Sequence, residues 1–250
     1  MKSLCGKAVH GWGMISDGDR IAVGLSGGKD SLSLLWLLAE RRRRIPIDFG
    51  ITALHVEMGF GTVDTQALRA FCEQLGVKLL VRPTDYGPRA HTEENRENSP
   101  CFFCALNRRR ELFLMSDQAG CGKLALAHHQ DDILETFMLN LLHAGSLSTM
   151  LPVQPFFQGR LVVIRPLSLI NAAQTAAFCR QMGFPLQPPC CPSASQGERS
   201  RVRETLEAYY RGNDKVRPSV WHALTGSGLP TLPCAPSTQR HRRRKSKKRG

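Results

Sequence analysis

Short apolar runs alternate along this chain with longer segments of helical periodicity, and this alternation is the feature that most constrains the fold. The runs lack strict polar alternation and are rich in Val, Ile, Leu and Ala, which is typical of parallel strands covered on both faces. Strands that alternate with helices imply right-handed βαβ units. We therefore expect an α/β fold, a doubly wound, mainly parallel five-stranded sheet with helices on both faces. The predicted strands are Arg20–Leu25, Gly50–Val56, Val77–Val81, Lys123–Ala127 and Leu161–Ile164.

Helical periodicity fills the segments between these strands and continues after the last one. The helix Ala172–Met182 has a clear start, because Asn171 can cap it and Gln174 can complete a capping box. The polar stretch Thr84–Pro100 and the Pro- and Ser-rich stretch Gly183–Gly197 predict loops. The other predicted helices are Ser31–Arg43, Thr65–Leu75, Asn107–Gln118, Asp131–Leu142, Glu198–Arg211 and Pro218–Leu224.

These elements predict one main domain with short additions at both ends. Residues 1–18 form an N-terminal extension, residues 19–185 the main domain, and residues 186–228 a small helical C-terminal extension. From Thr225 onward Gly, Pro, Ser and Arg dominate, which predicts disorder. Residues 229–250 are thus predicted to be a disordered basic tail.

The positive charge is concentrated at the C-terminal end. The formal net charge is +13, and Gln239–Gly250 carries eight Arg or Lys residues and no acid, which leaves about +5 for the rest of the chain. Basic tails of this kind act as nucleic-acid-binding arms, and the alternative is a solvated tail without a specific partner. We find no signal peptide and no apolar run near the roughly 20 residues of a membrane helix, so we expect a cytoplasmic protein without a membrane partner.

The loop Ser26-Gly27-Gly28-Lys29-Asp30-Ser31 lies directly between the first predicted strand and the helix that follows it. Its glycines let the backbone approach an anion, the first N–H groups of the helix point toward that anion, and Lys29 adds a cation. The spacing differs from a Walker A loop and from G-x-G-x-x-G. The alternative is a structural turn that happens to contain Ser-Gly-Gly, but the placement favours a phosphate site.

Four of the nine cysteines have polar or proline neighbours, and we do not expect disulfides in a reducing compartment. Cys101 and Cys104 form a CxxC pair, which by itself is compatible with zinc, an iron–sulfur cluster or a redox pair. Cys190 and Cys191 are adjacent, and adjacent cysteines rarely bind one small ion together. Three thiolates suit an iron–sulfur cluster with one open iron. Two others, Cys72 and Cys179, lie in apolar helical patterns and are predicted core residues.

Taken together, the motifs resemble a known family. The loop matches the PP-loop of the N-type ATP pyrophosphatases, which split ATP between its α- and β-phosphates and adenylate an acceptor. The order of the motifs along residues 19–224 is similar to that of the tRNA 2-thiocytidine synthetase group of tRNA sulfurtransferases. These motifs are the PP-loop, the CxxC followed by Arg108-Arg109-Arg110, the stretch Ala127-His128-His129-Gln130-Asp131-Asp132, Ile164-Arg165-Pro166-Leu167 and a late Cys-Pro.

The resemblance implies a PP-loop or HUP-like fold and a set of site residues. A [4Fe-4S] cluster is implied on Cys101, Cys104 and Cys191, with Cys190 as the alternate third ligand and no zinc. Lys29, Asp30 and Asp132 are the implied catalytic residues. The ATP-binding residues implied are Gly24, Ser26, Gly27, Gly28, Lys29, Asp30, Ser31, His55, Arg110, Ala127 and Asp132. RNA-binding residues implied are Arg108, Arg109, Arg199 and Arg201. Family members usually have Gly where this chain has Ala127.

Some of these residues have simpler interpretations. Asp131 and Asp132 can cap a helix and favour its dipole, and this can be true together with nucleotide binding. His55 can be a hydrogen-bonded histidine at a strand end. The run Arg108–Arg110 can be a solvated helix face.

The function implied by the resemblance is ATP-dependent tRNA thiolation at the C2 carbonyl of cytidine 32 in the anticodon loop, with Mg²⁺ bound to ATP. The implied partners are tRNA and a sulfur donor such as a cysteine desulfurase or free sulfide, and a homodimer is left open. One alternative keeps the chemistry and changes the target to a tRNA uridine or another nucleobase. A second alternative is a basic iron–sulfur RNA-binding protein without turnover, against which the intact Lys29, Asp30, Asp131 and Asp132 argue.

Overall fold

The computed structural model describes residues 1–61, 63–96, 99–188, 191 and 197–237. Six strands form one sheet: β1 Asp19–Gly24, β2 Phe49–Glu57, β3 Lys78–Pro83, β4 Lys123–Ala125, β5 Val153–Phe156 and β6 Leu161–Ile164. The α-helices are α1 Lys2–Gly11, α2 Lys29–Arg42, α3 Thr65–Gln74, α4 Tyr86–Arg89, α5 Pro100–Gln118, α6 Gln130–Ala144, α7 Ala172–Met182, α8 Glu198–Tyr210 and α9 Val216–Gly226. Two short 3₁₀ helices span Glu93–Asn95 and Phe157–Gly159.

The strand order is β3-β2-β1-β4-β6-β5, and every neighbouring pair is parallel except β5 with β6. The predicted α/β class with a mainly parallel sheet is confirmed, but the predicted count of five strands is wrong. The missed strand, β5, contains Pro155 and lies at the sheet edge, where a residue without a backbone N–H is tolerated. A four-residue strand with an internal proline has no apolar pattern to reveal it.

Helices cover both faces of the sheet. One face packs against α1, α2, α3 and α7 through a cluster that includes Leu34, Leu38, Leu68 and Cys179. The other face packs against α5 through Leu112 and Met115. A third cluster joins α6, α8 and α9. The carboxyl ends of β1, β2 and β4 meet at one edge of the sheet, which is where ligands bind in doubly wound folds.

Both ends of the described chain pack against the rest of the protein, and at the C-terminal end this contradicts a prediction. The N-terminal segment contains α1, whose Cys5, Ala8 and Val9 are buried in the main core. Disorder is predicted from Thr225 onward, and this is wrong for residues 225–237, because Leu232 is 6% exposed and the Trp12 indole donates a 3.0 Å hydrogen bond to the Cys234 carbonyl. Composition cannot reveal these contacts, since a few anchoring residues order an otherwise polar segment. The basic stretch Gln239–Gly250 lies outside the described residues.

Two smaller differences concern the middle of the chain. The predicted loop Thr84–Pro100 includes α4 and a 3₁₀ turn, and α5 begins at Pro100 rather than Asn107. Ser99 caps α5 by accepting from the Phe102 N–H, so the CxxC pair lies in the first turns of a helix. In the part of the chain that the structure describes, no helix has the length and apolar character that a membrane crossing requires.

Candidate nucleotide and thiol site

The loop Ser26–Ser31 is closed by its own hydrogen bonds. The Ser26 N–H donates to Ser31 Oγ over 3.1 Å, and Ser31 Oγ donates to the Gly28 carbonyl over 3.0 Å. Gly27 has φ +82°, and a Cβ there would lie 2.5 Å from Gln187 Cγ. Any side chain at Gly27 is therefore excluded twice, by the left-handed backbone and by the segment packed on it. The loop is a fixed cradle at the N-terminus of α2.

Lys29 is held beside the cradle by two partners. Its Nζ lies 2.7 Å from both carboxylate oxygens of Asp30 and 3.3 Å from Thr175 Oγ1. Thr175 is fully buried on α7 and donates in turn to the Ala172 carbonyl. The lysine side chain is thus held by the Asp30 carboxylate next to the loop.

A cavity of about 310 Å³ opens at this edge of the sheet. It brings together eight of the predicted ATP-binding residues and extends past them to apolar walls formed by Leu54, Val56 and Leu112. Gly27, Lys29 and Arg110 are outside its lining, and Lys29 faces an adjacent cavity of about 420 Å³. The predicted residues in the lining are Gly24, Ser26, Gly28, Asp30, Ser31, His55, Ala127 and Asp132.

Asp131 and Asp132 do cap helices. Asp132 accepts from the His129 N–H over 2.9 Å and completes a capping box at the start of α6. Asp131 accepts from the Ala172 N–H over 2.7 Å and pairs with Arg217 Nε over 3.0 Å. The capping interpretation is confirmed for both, and Asp132 also lines the cavity.

His55 is 3% exposed at the carboxyl half of β2. Its Nδ1 lies 2.7 Å from the Leu25 carbonyl oxygen, and its Nε2 is buried without a hydrogen-bond partner. Burial lowers the pKa of this imidazole, and the Arg108 cation lowers it further, against the opposing effects of the Leu25 carbonyl and Glu57. His55 is therefore a neutral side chain in the cavity wall.

His128 and Arg165 are site residues that the sequence reasoning did not single out. His128 lines the cavity, and its Nδ1 accepts a 3.3 Å hydrogen bond from Arg165 Nε. Burial, together with the Arg165 and Arg199 cations, lowers the pKa of His128 to about 3. Both residues belong to motifs already noted in the sequence, His128 three residues after β4 and Arg165 directly after β6. That position at strand ends was the available signal.

The arginines of α5 divide by their position on the helix. Arg108 lines the cavity, whereas Arg110 lies outside the lining and is close enough to Tyr86 to affect its pKa. Residues two positions apart on an α-helix are rotated by about 200° about its axis, so Arg108 and Arg110 lie on different faces of α5. Arg108, rather than Arg110, therefore faces the cavity.

The cysteines approach the same edge of the sheet. Cys101 is exposed, Cys104 is buried and Cys191 is half-buried. Burial raises the pKa of the Cys104 thiol, Arg108 lowers it, and the nearby thiols of Cys191 and Cys101 raise it. Cys101 and Cys191 are therefore both close enough to Cys104 to affect its pKa. Cys190 lies outside the described residues, and within those residues no three potential metal ligands are already assembled.

The predicted RNA-binding arginines have different surroundings. Arg109 is exposed on α5, Arg199 donates to Thr136 Oγ1 over 3.0 Å, and Arg201 pairs with Glu198 over 2.8 Å. Two arginines that we did not predict tie the C-terminal helices to α6. Arg203 makes a bidentate pair with the buried Glu135, and Arg217 pairs with Asp131. RNA binding by these side chains stays a prediction.

Comparisons with known proteins show which family this chain is similar to. A family model described as a PP-loop domain matches residues 6–207. A tRNA-cytidine(32) 2-sulfurtransferase from Citrifermentans bemidjiense is 34% identical over 227 residues, which cover 90% of this chain and 89% of that protein. A protein of the same name from Pelobacter propionicus is 37% identical over 227 residues, covering 90% and 84%.

Among solved structures, the U34-tRNA thiolase NcsA from Methanococcus maripaludis with its [4Fe-4S] cluster is similar. Its TM-score is 0.71 at 25% sequence identity, over 88% of this chain and 75% of that chain. These matches confirm the family resemblance found in the motifs. The chain belongs to the PP-loop proteins and, among them, to the family of the tRNA-cytidine(32) 2-sulfurtransferases.

Proposed function

We propose that this protein is an ATP-dependent tRNA sulfurtransferase that replaces the C2 oxygen of cytidine 32 in the anticodon loop with sulfur. The position of Arg108 carries the proposal. Arg108 lines the nucleotide cavity, adds to the lowering of the His55 pKa by burial, and opposes the rise that burial causes in the pKa of the Cys104 thiol. A nucleotide site and a group of thiols therefore share one edge of the sheet, as a reaction that couples adenylation to sulfur transfer requires.

In the first step, the C2 oxygen of the base attacks the α-phosphorus of ATP. The bond from that phosphorus to the bridging oxygen breaks, and pyrophosphate leaves. The loop N–H groups and the α2 N-terminus receive the charge that develops on the phosphates, and Lys29 turns from Asp30 to join them. Mg²⁺ bound to the phosphates would neutralise further charge. The cavity walls Leu54 and Val56 suit the adenine ring.

In the second step, a sulfur nucleophile attacks C2, and AMP departs with the former C2 oxygen. The exchange of sulfide for an oxygen-linked leaving group needs no oxidant. Adenylation matters here because an unmodified carbonyl oxygen is a poor leaving group. The target base must leave its stack to reach the cavity, which costs least in a single-stranded loop.

The cysteines fit the donor set of an iron–sulfur cluster with three protein ligands. Cys101 and Cys104 are one turn apart at the start of α5, Cys191 approaches from another segment, and Arg108 partly offsets the rise that burial causes in the pKa of the Cys104 thiol. Once bound, the cluster would supply the sulfur from the iron that no cysteine holds.

The remaining parts of the proposal concern partners. The substrate is a tRNA, bound through Arg108, Arg109, Arg199, Arg201 and the basic stretch Gln239–Gly250. A cysteine desulfurase or free sulfide provides sulfur in the cytoplasm. Formation of a homodimer is a separate question that the proposed reaction does not depend on.

The test is anaerobic reconstitution of the full chain with iron and sulfide, followed by incubation with ATP, Mg²⁺ and unmodified tRNA. We expect release of pyrophosphate that depends on tRNA, and 2-thiocytidine in the digested product by mass spectrometry. Thiouridine instead would keep the chemistry and change the target, as the likeness to a U34 thiolase makes worth testing. Iron binding without any pyrophosphate release would support the non-catalytic alternative and overturn the proposal.

A further inference from the structure

The nucleotide cavity contains two histidines, and the neighbours of each ring fix which nitrogen carries its proton. Both residues line the cavity, His55 from β2 and His128 from the loop between β4 and α6. A carbonyl oxygen can only accept a hydrogen bond, and a guanidinium can only donate one. The tautomers therefore follow from the partners rather than from hydrogen positions.

The two tautomers are opposite. His55 Nδ1 faces the Leu25 carbonyl at 2.7 Å, so Nδ1 carries the proton and the buried Nε2 is an acceptor. His128 Nδ1 faces Arg165 Nε at 3.3 Å, so Nδ1 is the acceptor and Nε2 carries the proton. The cavity wall thus presents one neutral acceptor and one neutral donor.

The Nε2 of His128 is available to a ligand. Among the described residues Nε2 has no hydrogen-bond partner. It is also absent from the fully buried polar atoms without a partner, so this atom is not fully buried. The ring lines the same cavity as the loop residues Ser26 and Gly28 and the carboxylate of Asp132. An N–H on this ring therefore belongs to the wall of the cavity that these residues share.

We infer that His128 is a neutral hydrogen-bond donor, locked by Arg165, whose Nε2–H binds a reacting oxygen, either on the α-phosphate or at C2 of the target base. The inference rests on the proposed function and assigns it a further residue. A donor aimed at an oxygen that gains negative charge stabilises the transition state most when it needs no reorientation. Arg165 is a positioning residue, since it acts through the imidazole.

The surroundings keep this donor neutral. Arg165 is 5% exposed, and it also donates to the Leu151 carbonyl and to Gln154 Oε1, so its guanidinium cannot turn away from the ring without losing buried hydrogen bonds. The charged and titratable groups that act on His128 are Arg165, Arg199, Arg109 and His129, and all of them oppose a second proton. His128 is therefore a donor and not a proton shuttle at physiological pH.

Three substitutions separate the roles of the ring. In His128→Gln the side-chain amide nitrogen can take the place of Nε2–H. In His128→Asn the amide nitrogen reaches only the position of Nδ1. The variant His128→Phe keeps a ring but has no N–H. We expect kcat for tRNA-dependent pyrophosphate release to fall by about 100-fold in the Phe and Asn variants and by less than about 10-fold in the Gln variant. Wild-type kcat in His128→Phe would overturn the inference.

A second measurement does not depend on turnover. Long-range ¹H–¹⁵N correlation spectra of the full chain, with the His128 signals assigned by their loss in His128→Gln, should show the Nε2–H tautomer from pH 5 to pH 8 without titration. An Nδ1–H tautomer, or a titration near the ordinary histidine pKa of about 6.5, contradicts the inference.

Binding of a non-hydrolysable ATP analogue distinguishes the two candidate oxygens. Weaker binding in His128→Phe, by about 10-fold, assigns the donor to the α-phosphate, and unchanged binding with reduced kcat assigns it to the base. If the wild-type protein releases no pyrophosphate with any tRNA, the proposed function fails. The tautomer and the analogue binding then decide the inference by themselves, with unchanged analogue binding counting against it.

Discussion

The nucleotide side of the site and its thiol side are built in different ways. The nucleotide side comes from one contiguous loop, Ser26–Ser31, whose own hydrogen bonds close it between β1 and α2. The thiol side joins α5 to a segment some 90 residues later, and its three cysteines range from exposed to buried. The first is closed by its own local hydrogen bonds, and the second brings together residues from distant segments of the chain.

This difference indicates which contacts stabilise each half of the site. The cradle depends on local backbone geometry and on α7, which supplies Thr175 to Lys29. The thiol side depends on long-range contacts, since α8 follows Cys191 and is attached to α6 through Arg203 and Glu135. Changes in the two halves should therefore affect different properties.

The largest expected effect is on the nucleotide side. Lys29→Ala removes the only cation in the loop and should lower tRNA-dependent pyrophosphate release by at least about 100-fold, while iron binding and the thermal unfolding midpoint stay near wild type. Lys78→Ala is the matched control, because Lys78 begins β3 at the opposite edge of the sheet. Retained turnover in Lys29→Ala would show that the loop is not the phosphate site.

Substitutions on the thiol side should have the opposite pattern, with iron binding lost and nucleotide binding kept. Cys101→Ala, Cys104→Ala and Cys191→Ala should each lose the approximately four irons bound per chain after anaerobic reconstitution, with binding of an ATP analogue preserved. Cys234→Ala is the control for the exposed thiols and Cys72→Ala for the buried one, and both should keep their iron. Zinc in place of iron in the anaerobic protein would contradict the assignment.

Loss of the ion pair that attaches α8 to α6 should have an effect of intermediate size, on stability and on iron retention. Arg203→Met leaves the Glu135 carboxylate, 3% exposed, without its bidentate partner, and should lower the free energy of unfolding by about 1–3 kcal/mol. The thiol side should loosen, with weaker iron retention and unchanged analogue binding. Denaturant unfolding and iron analysis on the same sample measure both.

The control for this variant is Arg201→Met in the same helix. Arg201 pairs with Glu198 at the surface, where an ion pair contributes about 0–1 kcal/mol. Equal losses in the two variants would mean that the Glu135 pair has no special part in holding α8.

The smallest effect is expected from the basic stretch. Deleting Gln239–Gly250 removes eight cations and should raise the KM for tRNA several-fold and flatten its dependence on salt, with kcat and the product base unchanged. An altered product base would show that the tail helps to position the target. Identical affinity and salt slope in the truncated protein would show that the tail does not bind tRNA.

Much of the nucleotide side could be predicted from the sequence, because its information is local. A strand, a Gly-rich loop and a helix start are contiguous, so their geometry follows from backbone chemistry. The same holds for the capping box at Asn171 and Gln174, which the structure confirms. Motif order along the chain was sufficient to identify the family.

What the sequence could not give depends on contacts between distant segments. The strand β5 is defined by its pairing with β6 and not by its own apolar pattern. The order of residues 225–237 comes from Trp12 and Gly11, more than 200 residues earlier in the chain. The role of His128 requires Arg165, and the choice of Arg108 over Arg110 requires the rotation of α5 relative to the cavity.

The central claim is that both halves serve one reaction, the thiolation of a tRNA cytidine. The most direct measurement is mass spectrometry of tRNA nucleosides from cells lacking the gene, complemented with the wild-type chain, with Lys29→Ala or with Cys104→Ala. The account predicts that 2-thiocytidine is absent from the deletion strain, returns with the wild type, and returns with neither variant. Unchanged 2-thiocytidine in the deletion strain, or its return with either variant, would contradict the account.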